Sequence, residues 1–277
     1  SNFLLKSKRL DEATNGVTTA DIVKIQRHIL GLELLNSAYK VIAADVNRSY
    51  SITAADISEI RKLILGVNAE FTKVPSWQMI PSDYQYVNPQ QPWDFPTEKG
   101  FVTLKPATSI DFIAIKMGDV NNSAVASAFQ GTTNRSSLPM KLWIEEGELR
   151  AGELYEMAFH ADDMASLSGV QMTIEFDARM MQLEQYNSGV FILEDANFGF
   201  QAAGQGKIAL SWSDAKAISL KGGEQLFSLS FRVLANGTTE NAVRLSNALA
   251  RTEAYDDKLN AMPVVLENRS NRHADNA

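Results

Sequence analysis

The sequence predicts a multidomain α+β chain: a small helical loop–helix module, then an all-β domain of the jelly-roll or β-sandwich kind. Three observations carry this. Residues 45–56 form a twelve-residue polar loop that runs into an apolar, helix-patterned stretch, 57–65, closed by Gly66. Residues 18–31 recur at 53–66 with a constant offset of 35 (56 − 21). From Leu138 onward, short runs of alternating apolar and polar residues are separated by turn-forming pairs.

The loop is the most informative segment. Asp45, Asn47, Ser49, Ser51, Thr53 and Asp56 place oxygen-bearing side chains at loop positions 1, 3, 5, 7, 9 and 12. A Ca²⁺ ion takes roughly 6–8 oxygen ligands, and a twelve-residue loop leading into a helix supplies them at this spacing. The other reading is a polar turn with a helix N-cap, because Asp, Asn and Ser also bond their own backbone. The acid at position 12, directly ahead of a helix, separates this segment from an ordinary Asp-x-Asn-x-Ser turn.

The repeat makes the loop–helix unit a pair. Ile22, Ile25, Ile29 and Leu30 make one apolar stripe, and Ile57, Ile60, Ile64 and Leu65 the other, each set to pack on its partner. The first loop is incomplete. At the same offset Asp45 corresponds to Leu10, Asn47 to Glu12 and Ser49 to Thr14. Two readings stand: a partial site from Asp11, Glu12 and Asn15, or a tight Asn15-Gly16 turn with Asp21 on the helix. His28 lies on the helix beside the stripe and reads as structural.

Two loop–helix units that each end in Leu-Gly, with Asp45-Val46-Asn47-Arg48-Ser49 ahead of the second, resemble type I dockerin domains over about residues 10–70. The resemblance implies a small calcium-dependent helical module that docks on a cohesin. It implies recognition through Thr19, Ala20, Arg27 and His28 in the first unit and Ala54, Ala55, Arg61 and Lys62 in the second. Basic residues on a helix face are otherwise a solvated surface.

Residues 71–123 have a different texture. Trp77, Tyr84, Tyr86, Trp93, Phe95 and Phe101 alternate with Pro75, Pro81, Pro89, Pro92 and Pro96. Prolines fix extended backbone, and aromatics in this number need something to pack on. An ordered strap on the helical module (1–70) is expected, with sugar stacking as the other use of such rings. Residues 111–117 alternate as a strand and run into Asp119-Val120-Asn121-Asn122-Ser123, which echoes residues 45–49. Position 12 counted from Asp119 is the neutral Gln130. The segment therefore reads as a turn, or as part of a cation site completed by another loop. The small polar stretch 124–137 reads as a linker.

In the C-terminal half, residues 140–145, 154–159, 170–176, 207–212 and 226–233 alternate as strands, with further strands at 191–192, 243–245 and 263–266. Gly152 opening a strand pair, Gly169 through Phe176-Asp177, Gly206 through Trp212 and Gly223-Glu224-Gln225-Leu226-Phe227-Ser228-Leu229-Ser230-Phe231 resemble, in order, the strands of a cohesin over 138–267. The resemblance implies a non-catalytic jelly-roll sandwich that binds a dockerin-like or other partner. Residues 268–277 read as a polar tail.

Composition narrows the function. The chain has 277 residues, 45% apolar and 21% charged, with a net charge of −7 and no Cys. It can bury two cores, has no disulfides or thiolate metal sites, and shows no basic patch for nucleic acid. No run of about 18 apolar residues spans a membrane. The N-terminal apolar stretch is too short for a signal peptide. The chain has no nucleophile elbow, phosphate loop or His-Glu-x-x-His. Its adjacent acids, such as Asp162-Asp163 beside His160, read as solvated turn residues. The expected function is thus that of a non-catalytic extracellular or cell-surface protein of bacterial type. Its Ca²⁺-dependent dockerin-like and cohesin-like modules would bind a protein partner, including another copy of itself in a head-to-tail filament. The alternative is a passive scaffold within a larger adhesin or carbohydrate-active protein of polysaccharide breakdown.

Overall fold

The computed structural model describes residues 3–9, 12–101, 109–125, 138–240 and 242–270. The chain divides into two compact units: Ser1–Leu63 with Asn68–Gly131, and Ile64–Val67 with Thr132–Ala277. The expected linker falls mostly outside the described residues.

The first unit mixes helices with two small antiparallel ribbons. Strand β1 (Phe3–Lys6) pairs with β3 (Glu98–Phe101), and β2 (Trp77–Pro81) pairs with β4 (Phe112–Lys116). Helix α1 (Thr19–Ile29) starts at Thr18, which shares a reciprocal capping box with Asp21. Helix α2 (Ala38–Ala44) starts at Ser37, whose hydroxyl accepts from Tyr39 N at 3.3 Å. Helix α3 (Ala54–Ile64) follows the 45–56 loop, and the chain leaves it through Gly66 at φ 69°. Ile22, Val23, Ile25, Val41, Ile42, Ile57, Ile60 and Leu63 are buried, as are Ile80, Ile115 and Val120 from the later part of the unit. The apolar stripe of α1 is shorter than expected. Ile29 and Leu30 face solvent, because the helix ends there and the chain turns away through Gly31. Helix α2 has no sequence signature of its own; its seven residues are too few to show a period.

The second unit is a β-sandwich. Its strands are β5 (Met140–Glu145), β6 (Glu148–Leu149), β7 (Leu154–Ala161), β8 (Met164–Phe176), β9 (Met181–Ser188), β10 (Phe198–Gly199), β11 (Lys207–Leu220), β12 (Gln225–Val233), β13 (Gly237–Thr238), β14 (Val243–Ser246), β15 (Glu253–Tyr255) and β16 (Ala261–Arg269). The hydrogen-bonded order is β10-β11-β8-β15-β16-β5-β7-β12-β9, with β14 also on β8 and β13 paired to β6. Strand β16 joins the two layers. Its first residues pair antiparallel with β15, and Val264 through Arg269 pair parallel with Met140 through Glu145 of β5. Between the layers lie Leu142, Met172, Ile174, Leu210 and Leu229, with Phe159 stacked on Phe227 at 4.6 Å and Phe191 on Trp212 at 4.2 Å. Each such ring contributes roughly 1.5–3 kcal/mol by burial. At the β8–β11 corner Gly206 has φ 76°, and a Cβ there would lie 2.0 Å from Phe176 O, so only glycine lets the strands meet.

Two boundaries differ from expectation. Phe191 and Ile192 are not a strand. Phe191 is a core plug between β9 and β10, and Ile192 points to solvent. Asn268 and Arg269 belong to β16 rather than to a tail, and Arg269 forks onto Asp162 at 2.9 and 3.1 Å. His273 lies outside the described residues.

Candidate metal centre and binding surfaces

The loop between α2 and α3 folds around its two end carboxylates. Asp45 ends α2 and is 5% exposed; Asp56 is in the first turn of α3 and is fully buried. Ser49 N and Tyr50 N donate to the two oxygens of Asp45, each at 2.9 Å. Asn47 N and Thr53 N donate to Asp56 at 3.2 and 3.0 Å. Asn47 Oδ1 accepts from Ser49 N at 2.9 Å, and the Ser49 and Ser51 hydroxyls lie 3.1 Å apart. Arg48 and Tyr50 take left-handed backbone (φ 57° and 62°), which curls the loop.

Burial pushes both carboxyls above their ordinary range, against the N–H bonds that favour the charged form. The Asp45 charge adds to the push on Asp56. No Lys, Arg or His forms an ion pair with either among the described residues. The Arg48 charge eases Asp45 only in part, and an all-oxygen donor set with two buried carboxylates outside any ion pair suits a hard divalent cation such as Ca²⁺. Asp45, Asn47, Ser49, Ser51, Thr53 and Asp56 are the residues that would hold it. Among the described residues no group of three or more His, Cys, Asp or Glu gathers as a metal cluster. A cation in this loop would have to draw on the Asn47 amide and the Ser49, Ser51 and Thr53 hydroxyls beside the two carboxylates.

The residues expected to meet a partner fall into two groups. Ala54 and Ala55 are exposed at the start of α3, and Arg61 and Lys62 are half-buried further along it, with Lys62 Nζ 2.7 Å from Glu59. Arg27 is half-buried and pairs with Glu33 at 3.5 Å. Thr19 and Ala20, by contrast, are buried, which leaves that pair no surface to present. His28 accepts from Leu35 N at 3.2 Å on Nδ1, a structural role.

The strap aromatics pack. Tyr86 meets Tyr39 of α2 edge-on at 5.7 Å, and Tyr84 meets Tyr86 at 5.0 Å. Trp93 meets Tyr50 of the loop at 6.4 Å. Trp77 is buried, with the Arg9 guanidinium 4.6 Å from its ring centre. Asp45, Arg48, Tyr50, Trp93 and Phe95 line a cavity of about 50 Å³. A larger cavity of about 530 Å³ opens beside Trp77, Arg9 and Gln78.

On the sandwich, the acids and His160 are engaged structurally. His160 stacks on Trp143 at 4.3 Å and its Nδ1 lies 3.0 Å from Gly223 O, while Asp162 holds Arg269. Thr173, which the sequence does not single out, is fully buried in β8. Its hydroxyl donates to Ala250 O at 2.9 Å and accepts from Leu249 N and Ala250 N at 3.1 and 2.9 Å. At the Phe176-Asp177 corner, Met180 N and Met181 N both donate to Asp177 O at 2.9 Å.

Comparison with known proteins centres on this sandwich. The family model for the cohesin domain matches residues 146–268. No curated protein matches the chain. Among solved structures, the sixth cohesin of scaffoldin B from Acetivibrio cellulolyticus, in complex with a dockerin, is 17% identical. It covers 48% of this chain and 99% of that one, with a TM-score of 0.38. A type I cohesin–dockerin complex of Clostridium thermocellum gives 14% identity, 47% and 99% coverage and a TM-score of 0.34. A cohesin of Clostridium acetobutylicum gives 16%, 48%, 87% and 0.34. Both the Acetivibrio cellulolyticus and the Clostridium thermocellum structures hold the cohesin in complex with a dockerin. The sandwich of this chain, over residues 146–268, is a cohesin-like domain.

Proposed function

We propose that this chain is a non-catalytic assembly protein working outside the cell, in which the helical unit of one copy docks on the cohesin-like sandwich of the next. The observation that carries this reading is the presence, beside a cohesin match, of a loop whose end carboxylates Asp45 and Asp56 are buried with no ion-pair partner among the described residues. The cohesins of Acetivibrio cellulolyticus and Clostridium thermocellum noted above were solved bound to dockerins. A helical module built on a cation loop is the matching half of such a pair.

Ca²⁺, when bound, neutralises the two carboxylates and stiffens the approach to α3. Asp45, Asn47, Ser49, Ser51, Thr53 and Asp56 hold it. Ala54 and Ala55 at the exposed helix start, with Arg61, Lys62 and Arg27, then form the docking surface. Millimolar calcium outside the cell keeps such a loop loaded, since extracellular modules bind at about 10⁻⁴–10⁻³ M. A docking unit and a receptor on one chain make a heterologous contact, which builds filaments when it does not close.

Size-exclusion chromatography and negative-stain imaging in calcium and in chelator test the reading. Calcium-dependent oligomers that dissolve in chelator are expected. A strict monomer at high concentration in calcium overturns head-to-tail assembly and leaves a binding module for a different protein.

A further inference from the structure

The loop ahead of α1 lacks its first half: Leu10 stands where the repeat has Asp45. The fold supplies that half from downstream. Asp119-Val120-Asn121-Asn122-Ser123 is offset by 74 residues from Asp45 (119 − 45), and it sits against Gly16 through Asp21, which are offset by 35 from the second half of the same loop. We propose that these two pieces, about a hundred residues apart in sequence, form a split site for a second hard divalent cation, with Ca²⁺ the ion best suited. The inference rests on reading residues 45–56 as a cation loop, because that loop is its template.

Most of the hydrogen bonds of the template loop recur here, although Val120 N reaches Asp21 Oδ1 where Val46 N bonds Ala44 O. Asn121 N donates to Asp21 Oδ1 at 3.1 Å, as Asn47 N does to Asp56 Oδ1 at 3.2 Å. Ser123 N donates to Asp119 Oδ1 and Asn121 Oδ1 at 3.1 and 2.9 Å, as Ser49 N does to Asp45 and Asn47, both at 2.9 Å. Ala124 N reaches Asp119 Oδ2 at 2.7 Å, as Tyr50 N reaches Asp45 Oδ2 at 2.9 Å. Thr18 N and Thr53 N donate to Asp21 and Asp56 at 2.9 and 3.0 Å. The bond that crosses the break is also kept. Ser123 Oγ donates to Gly16 O at 2.9 Å, where Ser49 Oγ donates to Ser51 O at 3.1 Å. Asn122 repeats the left-handed turn of Arg48, φ 61° against 57°. Gly16 has φ 75°, and a Cβ on it would lie 2.4 Å from Ala124 N, so glycine is what lets the two halves close.

Charge burial argues separately from geometry. Asp21 is fully buried and Asp119 is 4% exposed. Neither has an ion-paired Lys, Arg or His among the described residues. Two buried carboxylates without a counter-charge are costly to hold in a protein interior. One divalent cation neutralises both. Asp119, Asn121, Ser123, the Gly16 carbonyl, Thr18 and Asp21 offer oxygen only, the chemistry Ca²⁺ prefers. Such an ion would clasp the start of the unit to its end, where Asn15 and Val125 already exchange two hydrogen bonds at 3.0 and 3.1 Å.

Isothermal titration of the chelator-stripped full chain with CaCl₂ tests this. Two equivalents are expected for the unaltered protein. Asp119→Asn should remove one and leave the other, and Asp45→Ala should remove the other. Should Asp119→Asn fail to fold, Asn121→Ala deletes one ligand oxygen without touching a buried charge, and it should weaken one of the two sites at least tenfold. A single equivalent that is lost in Asp45→Ala and unchanged in Asn121→Ala overturns the split site while leaving the 45–56 loop standing. No equivalents at all overturn both.

Discussion

Asp45 and Asp56 are held in the fold by backbone N–H donors and, for Asp56, the Thr53 hydroxyl, and neither forms an ion pair among the described residues. An ion that binds only the folded loop stabilises the helical unit by about 2.7 kcal/mol at a hundredfold excess over its Kd. In a unit of this size each kcal/mol moves the melting point by roughly 4–8 °C. Differential scanning fluorimetry should therefore show a calcium-dependent gain on the order of 10 °C that Asp45→Ala or Asp56→Ala abolishes. Equal melting in calcium and in chelator would remove the site. Thr173 offers a second single-residue test. Thr173→Val strips one acceptor and one donor from a buried hydroxyl that serves residues 249–250, and should cost about 1–3 kcal/mol in urea denaturation of the sandwich. An unchanged midpoint would show that this hydroxyl is replaceable. The polar loop ahead of α3 was legible because every position of its pattern lies within twelve residues. The contacts of Asp21 with Val120 N and Asn121 N were not, since they join segments about a hundred residues apart. The burial of Thr19 and Ala20 follows from packing that no local pattern encodes.

Strands were readable where one face is buried against the other layer. β5 and β7 show the two-residue period because inward residues such as Leu142 and Met157 alternate with more exposed ones, while β8 and β12 keep the apolar–polar alternation although polar residues such as Thr173 and Ser228 are buried too. β9 was not readable: Met181 through Ser188 is an edge strand whose outward side chains are mostly polar, and it is held by pairing with β12. β15 is too short to show a period. The apolar pair Phe191-Ile192 misled because one strong core ring resembles strand content locally. β16 carries the element-scale prediction. Ending the chain after Pro263 removes the parallel pairing of 264–269 with β5, and the sandwich should lose its cooperative thermal transition. A truncated chain that still melts as one sharp transition would mean that the layers hold together without it. The β8–β14 pairing gives a pH effect. The Arg244 guanidinium and the Ser246 hydroxyl hold the Glu175 carboxyl below its ordinary range. A carboxyl lowered in the folded state stabilises above its unfolded value of about 4.5, and that contribution fades as pH falls further. Denaturation midpoints should thus drop between about pH 5 and pH 3 by a small margin that Glu175→Gln removes, the pair being near the surface. An identical pH slope in both proteins would assign the drop to other groups.

For the molecule as a whole, the change of texture along the chain foretold two kinds of architecture. Loop–helix repeats stand first and alternating strands after residue 138. Composition could not foretell that residues after the helices, up to Val125, return to the helical unit, because chain-end contacts such as Asn15 with Val125 leave no mark on local sequence. The central claim is that calcium on the helical unit governs docking onto the cohesin-like domain of another copy. Multi-angle light scattering on the eluting protein at high concentration tests it most directly, with calcium, with chelator and with Asp45→Ala. The expected result is a molar mass at multiples of 30.5 kDa in calcium, falling to 30.5 kDa in chelator and in the variant. A value of 30.5 kDa under all three conditions would contradict the account.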